Sequence, residues 1–238
     1  CPGSIKANAG LVDRGSAFAA EGTAAHELAE MCLNNDEHPS AYLGETINGF
    51  EVDYEMVEHI GGYVEYVRSI NGEHHYEQRV DFSKWVKDGF GTSDAIVLDG
   101  KTLHCIDLKY GKGVAVDAEN NSQGLLYGLG AYESFSVFED DFDTVKIHIY
   151  QPRIHNYSDW EISIKDLLAW GNWVKERAQL ALSDNAPRVP GEKQCKWCKA
   201  KATCKALSDY TNELITAEFE DLTPSRDADK LNDEQIAN

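Results

Sequence analysis

The chain has 238 residues, with 22 basic against 41 acidic and a formal net charge of -19, which argues against a general electrostatic grip on nucleic acid. That length buries a real core and reads as one domain with elaborations. There is no run of eighteen or more apolar residues, so no membrane-spanning helix is expected. The chain opens at Cys1 with neither a methionine nor a basic, apolar leader, so its true start is expected upstream.

Residues 22–34 carry Ala25, Leu28, Ala29 and Cys32 as an apolar stripe and predict a helix, with His26 and Glu30 one turn apart on its polar face. A second helix is predicted over about 51–70 from Val52, Met56, Ile60, Val64 and Val67, with Gly61-Gly62 as a bend or interruption. Strands follow at about 75–82, 90–98 and 102–109. Asp99-Gly100 between the last two reads as a type I′ turn and makes them a β-hairpin. A helix at about 119–135, a strand at about 145–151, an edge segment at 160–164 and a helix at about 165–183 complete the pattern. Three strands, a helix and a strand, with helices on both sides, imply an α/β sandwich around a mixed sheet. A loop with Pro187, Pro190 and Gly191 then leads into a cysteine-rich segment. From Asp209 to Asn238 there are nine acids against Arg226 and Lys230, with Pro224 and Ser225 as breakers, which predicts a mobile or partner-bound tail.

Chemistry concentrates in the hairpin. Gly91-Thr92-Ser93-Asp94-Ala95 is followed, thirteen residues after Asp94, by Asp107-Leu108-Lys109. The hairpin brings both acids toward one end, and strand alternation puts Asp107 and Lys109 on one face with Leu108 on the other. Two carboxylates are hard donors suited to magnesium or manganese, and an adjacent lysine can orient water and stabilise charge developing on a phosphate. The set therefore reads as a site for a divalent metal and a phosphodiester. Gln123 and Tyr127, four apart on the next helix, can reach the same place. Glu77 and Glu30 read as surface residues or as supporting metal positions. Arg153 reads as a phosphate contact or a surface salt bridge. His74, His75, His104, His148 and His155 have no ligand-spaced companions and are assigned no chemistry.

Of six cysteines, Cys32 and Cys105 sit in apolar patterns and read as buried hydrophobes. Cys1, Cys195, Cys198 and Cys204 have ligand spacing, and in a reducing compartment four such thiols fit zinc or a 4Fe-4S cluster better than disulfides. Lys193, Lys196, Lys199, Lys201 and Lys205 surround Trp197, either as a DNA path with a stacking platform or as a solvated basic surface with a packed tryptophan.

Asp94 with Asp107-Leu108-Lys109 resembles the PD-(D/E)xK nuclease core. With His26 before it and Gln123-Gly124-Leu125-Leu126-Tyr127 after it, the set resembles the RecB and AddB branch of that superfamily. Cys1 with Cys195, Cys198 and Cys204 resembles the iron-sulfur staple of AddB-type and CRISPR-associated RecB-like exonucleases. The resemblance covers about residues 1–210. It implies a restriction-endonuclease-like core, a mixed central sheet flanked by helices, with helical N-terminal and Cys-rich C-terminal elaborations. Residues 1–210 would be a single nuclease domain closed by the cysteine cluster, and 211–238 an acidic tail. It implies a metal-dependent DNA exonuclease of phage or bacterial recombination, repair or replication, cytoplasmic in the bacterial host. Mg2+ or Mn2+ would be held by His26, Asp94, Asp107 and the carbonyl of Leu108, with Asp94, Asp107, Lys109, Gln123 and Tyr127 in catalysis. The cysteines would hold a 4Fe-4S cluster, with zinc as the alternative. Lys196, Trp197, Lys199, Lys201 and Arg153 would touch DNA, and a single-strand annealing or replication protein is a further expected partner. The alternative reading is a non-catalytic module, stabilised by a cluster or zinc, that binds a DNA end or a partner protein.

Overall fold

The computed structural model describes residues 1–11, 17–138 and 141–220. In chain order its regular elements are α1 (Ser4–Asn8), α2 (Ala17–Asn35), β1 (Thr46–Ile47), β2 (Phe50–Glu51), α3 (Tyr54–Ser69), β3 (Glu73–Asp81), β4 (Phe90–Asp99) and β5 (Thr102–Leu108). They continue with α4 (Ser122–Phe135), β6 (Thr144–Gln151), β7 (Asn156–Ser163), α5 (Ile164–Leu182), α6 (Glu192–Cys195) and α7 (Lys205–Glu220). The chain groups into two compact units, Cys1–Val12 with Gln179–Asn238, and Asp13–Ala178. Among the described residues no helix is long and apolar enough to cross a membrane.

The larger unit is mixed α/β, built on a five-stranded sheet of order β3-β4-β5-β6-β7. All neighbours are antiparallel except β5 and β6, whose parallel pairing is made through the α4 crossover. Alternation along the strands feeds two cores. Ala95, Val97, Ile106 and Leu108 pack with Leu28, Ile60, Tyr63 and Val64 of α2 and α3. Ile96, Leu103, Cys105 and Ile147 pack with Leu125 and Leu129 of α4 and Leu167 of α5. Helices therefore flank both faces, and each large side chain buried this way contributes about 1.5–3 kcal/mol.

Most elements fall within a few residues of the sequence expectation, and the departures have local causes. Gly61-Gly62 does not interrupt α3, because Asp53 caps its start at Met56 N (2.8 Å) and the bare faces of the glycines lie against His38 and Tyr150. The hairpin turn sits one residue later than expected. Asp99 pairs with Thr102, leaving Gly100 and Lys101 as the loop, and only Gly100 takes a positive φ (+56°), as in a type II′ turn. The small β1-β2 hairpin around Asn48-Gly49 was not expected. Helix α7 runs through the first part of the predicted tail, and residues 221–238 lie outside the described residues.

In the smaller unit the N-terminal segment is tied to the C-terminal one. Gly3 N donates to Pro187 O at 2.9 Å, Lys6 pairs with Asp184 at 2.8 Å, and Asn8 Oδ1 accepts from Ala200 N at 3.1 Å.

Two histidines given no chemistry form a polar insert in the larger unit. His148 is hydrogen-bonded to Tyr66 OH at 2.7 Å and to His104 Nδ1 at 2.9 Å. Burial, then the neighbouring His104 and Lys146, push His148 down from 6.5 to about 3. The unfolded chain therefore binds a proton that the folded chain refuses, and stability present above pH 6.5 is lost as pH falls below it. Between pH 7 and pH 5 the wild type is expected to lose about 2 kcal/mol more than His148→Gln, which cannot titrate there. Urea denaturation of both proteins at the two pH values checks this, and parallel losses would remove His148 as the cause.

Candidate functional site

Strands β4 and β5 stop pairing at Ala95 and Ile106, although β5 stays paired with β6 as far as Leu108 and Tyr150. Asp94 bridges the opening with its side chain. Its Oδ2 accepts the Leu108 N–H at 2.7 Å, and its Oδ1 lies 3.1 Å from His26 Nδ1 on α2. The carboxylate thus stands where a backbone acceptor would otherwise be, and it links both strands to a helix. Leu108 itself buries its side chain in the core.

Asp107 and Lys109 project from the face opposite Leu108, as alternation predicts. Lys109 Nζ lies 3.0 Å from Asp107 Oδ1 and 2.7 Å from Oδ2, and it donates to Gln123 Oε1 at 2.9 Å. Gln123 Nε2 in turn donates to Tyr127 OH at 3.0 Å, one turn along α4. Asn121 caps that helix at Gln123 N and Gly124 N, which fixes where its first turn stands. Gly91 leaves room for the ring: a Cβ there would lie 2.4 Å from Tyr127 Cε1.

Glu77, read from sequence as a surface residue or a supporting metal position, lies beside His26 and Asp94. It sits on β3 opposite Asp94, in a break between the Tyr76–Ala95 and Gln78–Ser93 pairs, with φ +45°. Left-handed backbone in mid-strand is strained for glutamate. The distortion carries its carboxylate to His26 and Asp94, where one donor atom from each of the three lies within 4.8 Å of the others. Periodicity alone gives no sign of such a break.

Electrostatics follow from this crowding. Burial, then the charges of Asp94 and Glu30, push Glu77 up to about 7, and His26 opposes them. Burial and Asp94 raise Asp107 to about 6 against the pull of Lys109. For His26, burial favours the neutral ring but is outweighed by the hydrogen bond and charge of Asp94, with Asp107 and Glu77 adding, so its pKa rises. Among the described residues the buried Tyr63 hydroxyl has no hydrogen-bond partner here, while both Asp107 oxygens lie against Lys109. A groove of about 490 Å³ lined by Thr23, Glu27, Glu30 and Asn34 opens beside His26 and Glu77.

The remaining sequence-predicted residues lie elsewhere. Arg153 is 8% exposed, paired with Glu21 at 2.8 Å and Glu55 at 3.2 Å and set over the Tyr110 ring, so its guanidinium is engaged in ion pairs. Cys32 and Cys105 are buried, with thiols pushed up to about 11 and about 12. Cys1, Cys195, Cys198 and Cys204 all belong to the smaller unit. Cys1 Sγ accepts from Val189 N, Cys198 Sγ approaches Asn8 Oδ1, and Cys204 stands before α7. There the backbone N–H of Leu207, then Arg188, hold the Cys204 thiol below its usual range. Among the described residues no three of these sulfurs lie within 4.8 Å of one another. That is wider than a tetrahedral zinc thiolate set, whose sulfurs are about 3.8 Å apart at a bond length of about 2.3 Å. Lys196, Trp197, Lys199 and Lys201 are exposed on the same unit.

Over residues 1–238 the chain matches the family described as "Protein of unknown function (DUF2800)", and it belongs to that family. It is also similar to a solved structure titled "Crystal structure of SSO0001", at 14% identity and a TM-score of 0.34, covering 85% of this chain and 92% of that chain.

Glu77 supplies a test of the buried carboxylate cluster without any assay of activity. Its folded-state pKa lies above its unfolded value of 4.5, so the stability it contributes is complete below that value and is lost as pH rises through about 7. With divalent ions chelated, Glu77→Gln is expected to raise the urea midpoint at pH 8 and to change it much less at pH 5. The same shift at both pH values would mean that the carboxylate is not held among like charges.

Proposed function

We propose that this member of the DUF2800 family is a divalent-metal-dependent DNA exonuclease with a restriction-endonuclease-like core of the RecB and AddB type. Its place would be in phage or bacterial DNA recombination, repair or replication. The observation that carries the reading is a pair of polar networks that meet at the end of β5 and join residues far apart in sequence. His26, Asp94 and the Leu108 N–H are linked on one side, and Asp107, Lys109, Gln123 and Tyr127 on the other. A purely structural hairpin end has no need of a helix histidine, a buried acid and a lysine braced by a second helix.

The donor set fits a hard divalent cation. Among the described residues one donor atom each from His26, Glu77 and Asp94 lies within 4.8 Å of the others, and the Asp107 carboxylate, close enough to feel the charge of Asp94, is paired with Lys109. Carboxylate oxygens with one imidazole suit Mg2+ or Mn2+, with manganese favoured by the nitrogen donor. His26, Asp94, Asp107 and the Leu108 carbonyl would hold it, with Glu77 completing the set. When bound, such an ion polarises the scissile phosphate and lowers the pKa of a water.

The protein's own groups supply the rest. Lys109 holds a positive charge beside Asp107, where it can orient the attacking water and stabilise charge gathering on phosphate oxygens. Gln123 keeps the ammonium from swinging away, and Tyr127 fixes the Gln123 amide. Removing Asp94 would leave both the His26 ring and the Leu108 N–H without their acceptor, so it organises as well as binds. In the smaller unit we propose a structural 4Fe-4S cluster on Cys1, Cys195, Cys198 and Cys204. The support is their location on one unit. DNA and a single-strand annealing or replication protein are the partners this reading implies.

Purified protein with linear DNA and Mn2+ is expected to release nucleotides from ends. Asp107→Ala is expected to abolish release, and Lys109→Ala to slow it by about 100- to 1000-fold, the loss typical of a group that stabilises transition-state charge. Equal cleavage by wild type and Asp107→Ala would remove the assignment.

A further inference from the structure

We infer that the exposed surface of residues 188–205 is a docking surface for single-stranded DNA, on which Trp197 stacks a base. This rests on the reading of DNA as substrate and adds which form of DNA is gripped, and by what. The segment holds Arg188, Lys193, Lys196, Lys199, Lys201 and Lys205 against the single acid Glu192, in a chain of net charge -19. All six basic residues are exposed. Their charge is therefore presented to solvent.

Trp197 is 81% exposed, the largest value among the exposed large hydrophobics together with Val137. A flat aromatic ring left in water offers an apolar face with a polar edge to a ligand. Lys196 Nζ lies 5.3 Å from the ring centroid and leaves the indole accessible. A flat aromatic face ringed by ammonium groups matches an unstacked base with its phosphates, because every base offers a π-face and each phosphate one negative charge. Duplex DNA has its bases stacked and paired, so it offers the lysines its phosphates and the indole nothing. The preference for single strands follows from that difference. Lys205 is partly neutralised by Asp209, and Lys201 reaches the carbonyl of Lys196. Lys193 and Lys196 are the expected phosphate contacts.

The test is binding of a fluorescein-labelled oligo(dT) strand of about 20 nucleotides, longer than the site size of a typical single-strand module. A duplex of the same length is measured beside it, with the full-length protein and divalent ions chelated. The single strand is expected to bind more tightly and to quench tryptophan fluorescence. Trp197→Ala should weaken it about 5- to 100-fold, the range for one stacked base, while Trp197→Phe retains most of the affinity. Replacing Lys193 and Lys196 together by Gln should flatten the salt dependence by about 1.4 in the log–log slope, two phosphates' worth. Because Trp197 is exposed, the Ala variant should melt like the wild type, which separates stacking from folding. Equal affinity of wild type and Trp197→Ala overturns the inference. So do tighter binding of duplex, no binding of either DNA, or preference for anionic lipid vesicles over the strand. Mn2+-dependent cleavage is followed in parallel. Cleavage with binding indifferent to Trp197 sinks this surface and leaves the nuclease standing. Binding through Trp197 without cleavage does the reverse.

Discussion

The hydrogen bonds of Asp94 organise the larger unit's functional end. A carboxylate that accepts a backbone N–H from the neighbouring strand and also meets a helix histidine fixes three elements with one side chain. It lets β4 and β5 part at Ala95 and Ile106 without orphaning the Leu108 donor. The parting matters, because a continuous ladder would leave no opening between the strands. Asp107 and Lys109 then stand at the edge of that opening, while Leu108 anchors the strand in the core from the other face.

The same arrangement is costly for the fold in isolation. Glu77, Asp94 and Asp107 are crowded, Glu77 holds a left-handed backbone, and Tyr63 keeps a buried hydroxyl without a partner. An unsatisfied buried polar group costs about 1–3 kcal/mol, and left-handed backbone in a non-glycine residue a similar amount. A sequence selected for stability alone would replace these groups with apolar ones. Their concentration in one place, beside an otherwise well-packed double core, is the pattern expected where something other than stability constrains the residues.

Much of this was legible from residue order. Strand alternation placed Asp107 and Lys109 together, and helical spacing placed Gln123 with Tyr127, because both depend only on local geometry. Even the rise of the main helices was readable from apolar stripes, since Val52, Met56, Ile60 and Val64 recur at the helical period. What was not legible depended on breaks in regularity. Glu77 joins the site through a mid-strand distortion that no period encodes, and the Asp99–Gly100 turn shifted because pairing across β4 and β5 set the loop. The Asn48-Gly49 turn joins strands of only two residues each, too short for an alternating pattern to show in the sequence. Of the two readings of Arg153 the ion pair is the one that forms, but its partners, glutamates from α2 and α3, are close only in the folded unit.

Net charge deserves the same local treatment. At physiological ionic strength, charges more than about 8 Å apart across water are largely screened, so -19 describes no single surface. What a phosphate meets is decided within that distance. At the carboxylate cluster it meets repulsion unless a divalent ion intervenes, which makes cation and phosphate binding interdependent there. Along residues 188–205 it meets six basic side chains and one acid, with no ion required. An acidic protein can therefore carry both an ion-gated phosphate site and an ion-independent one.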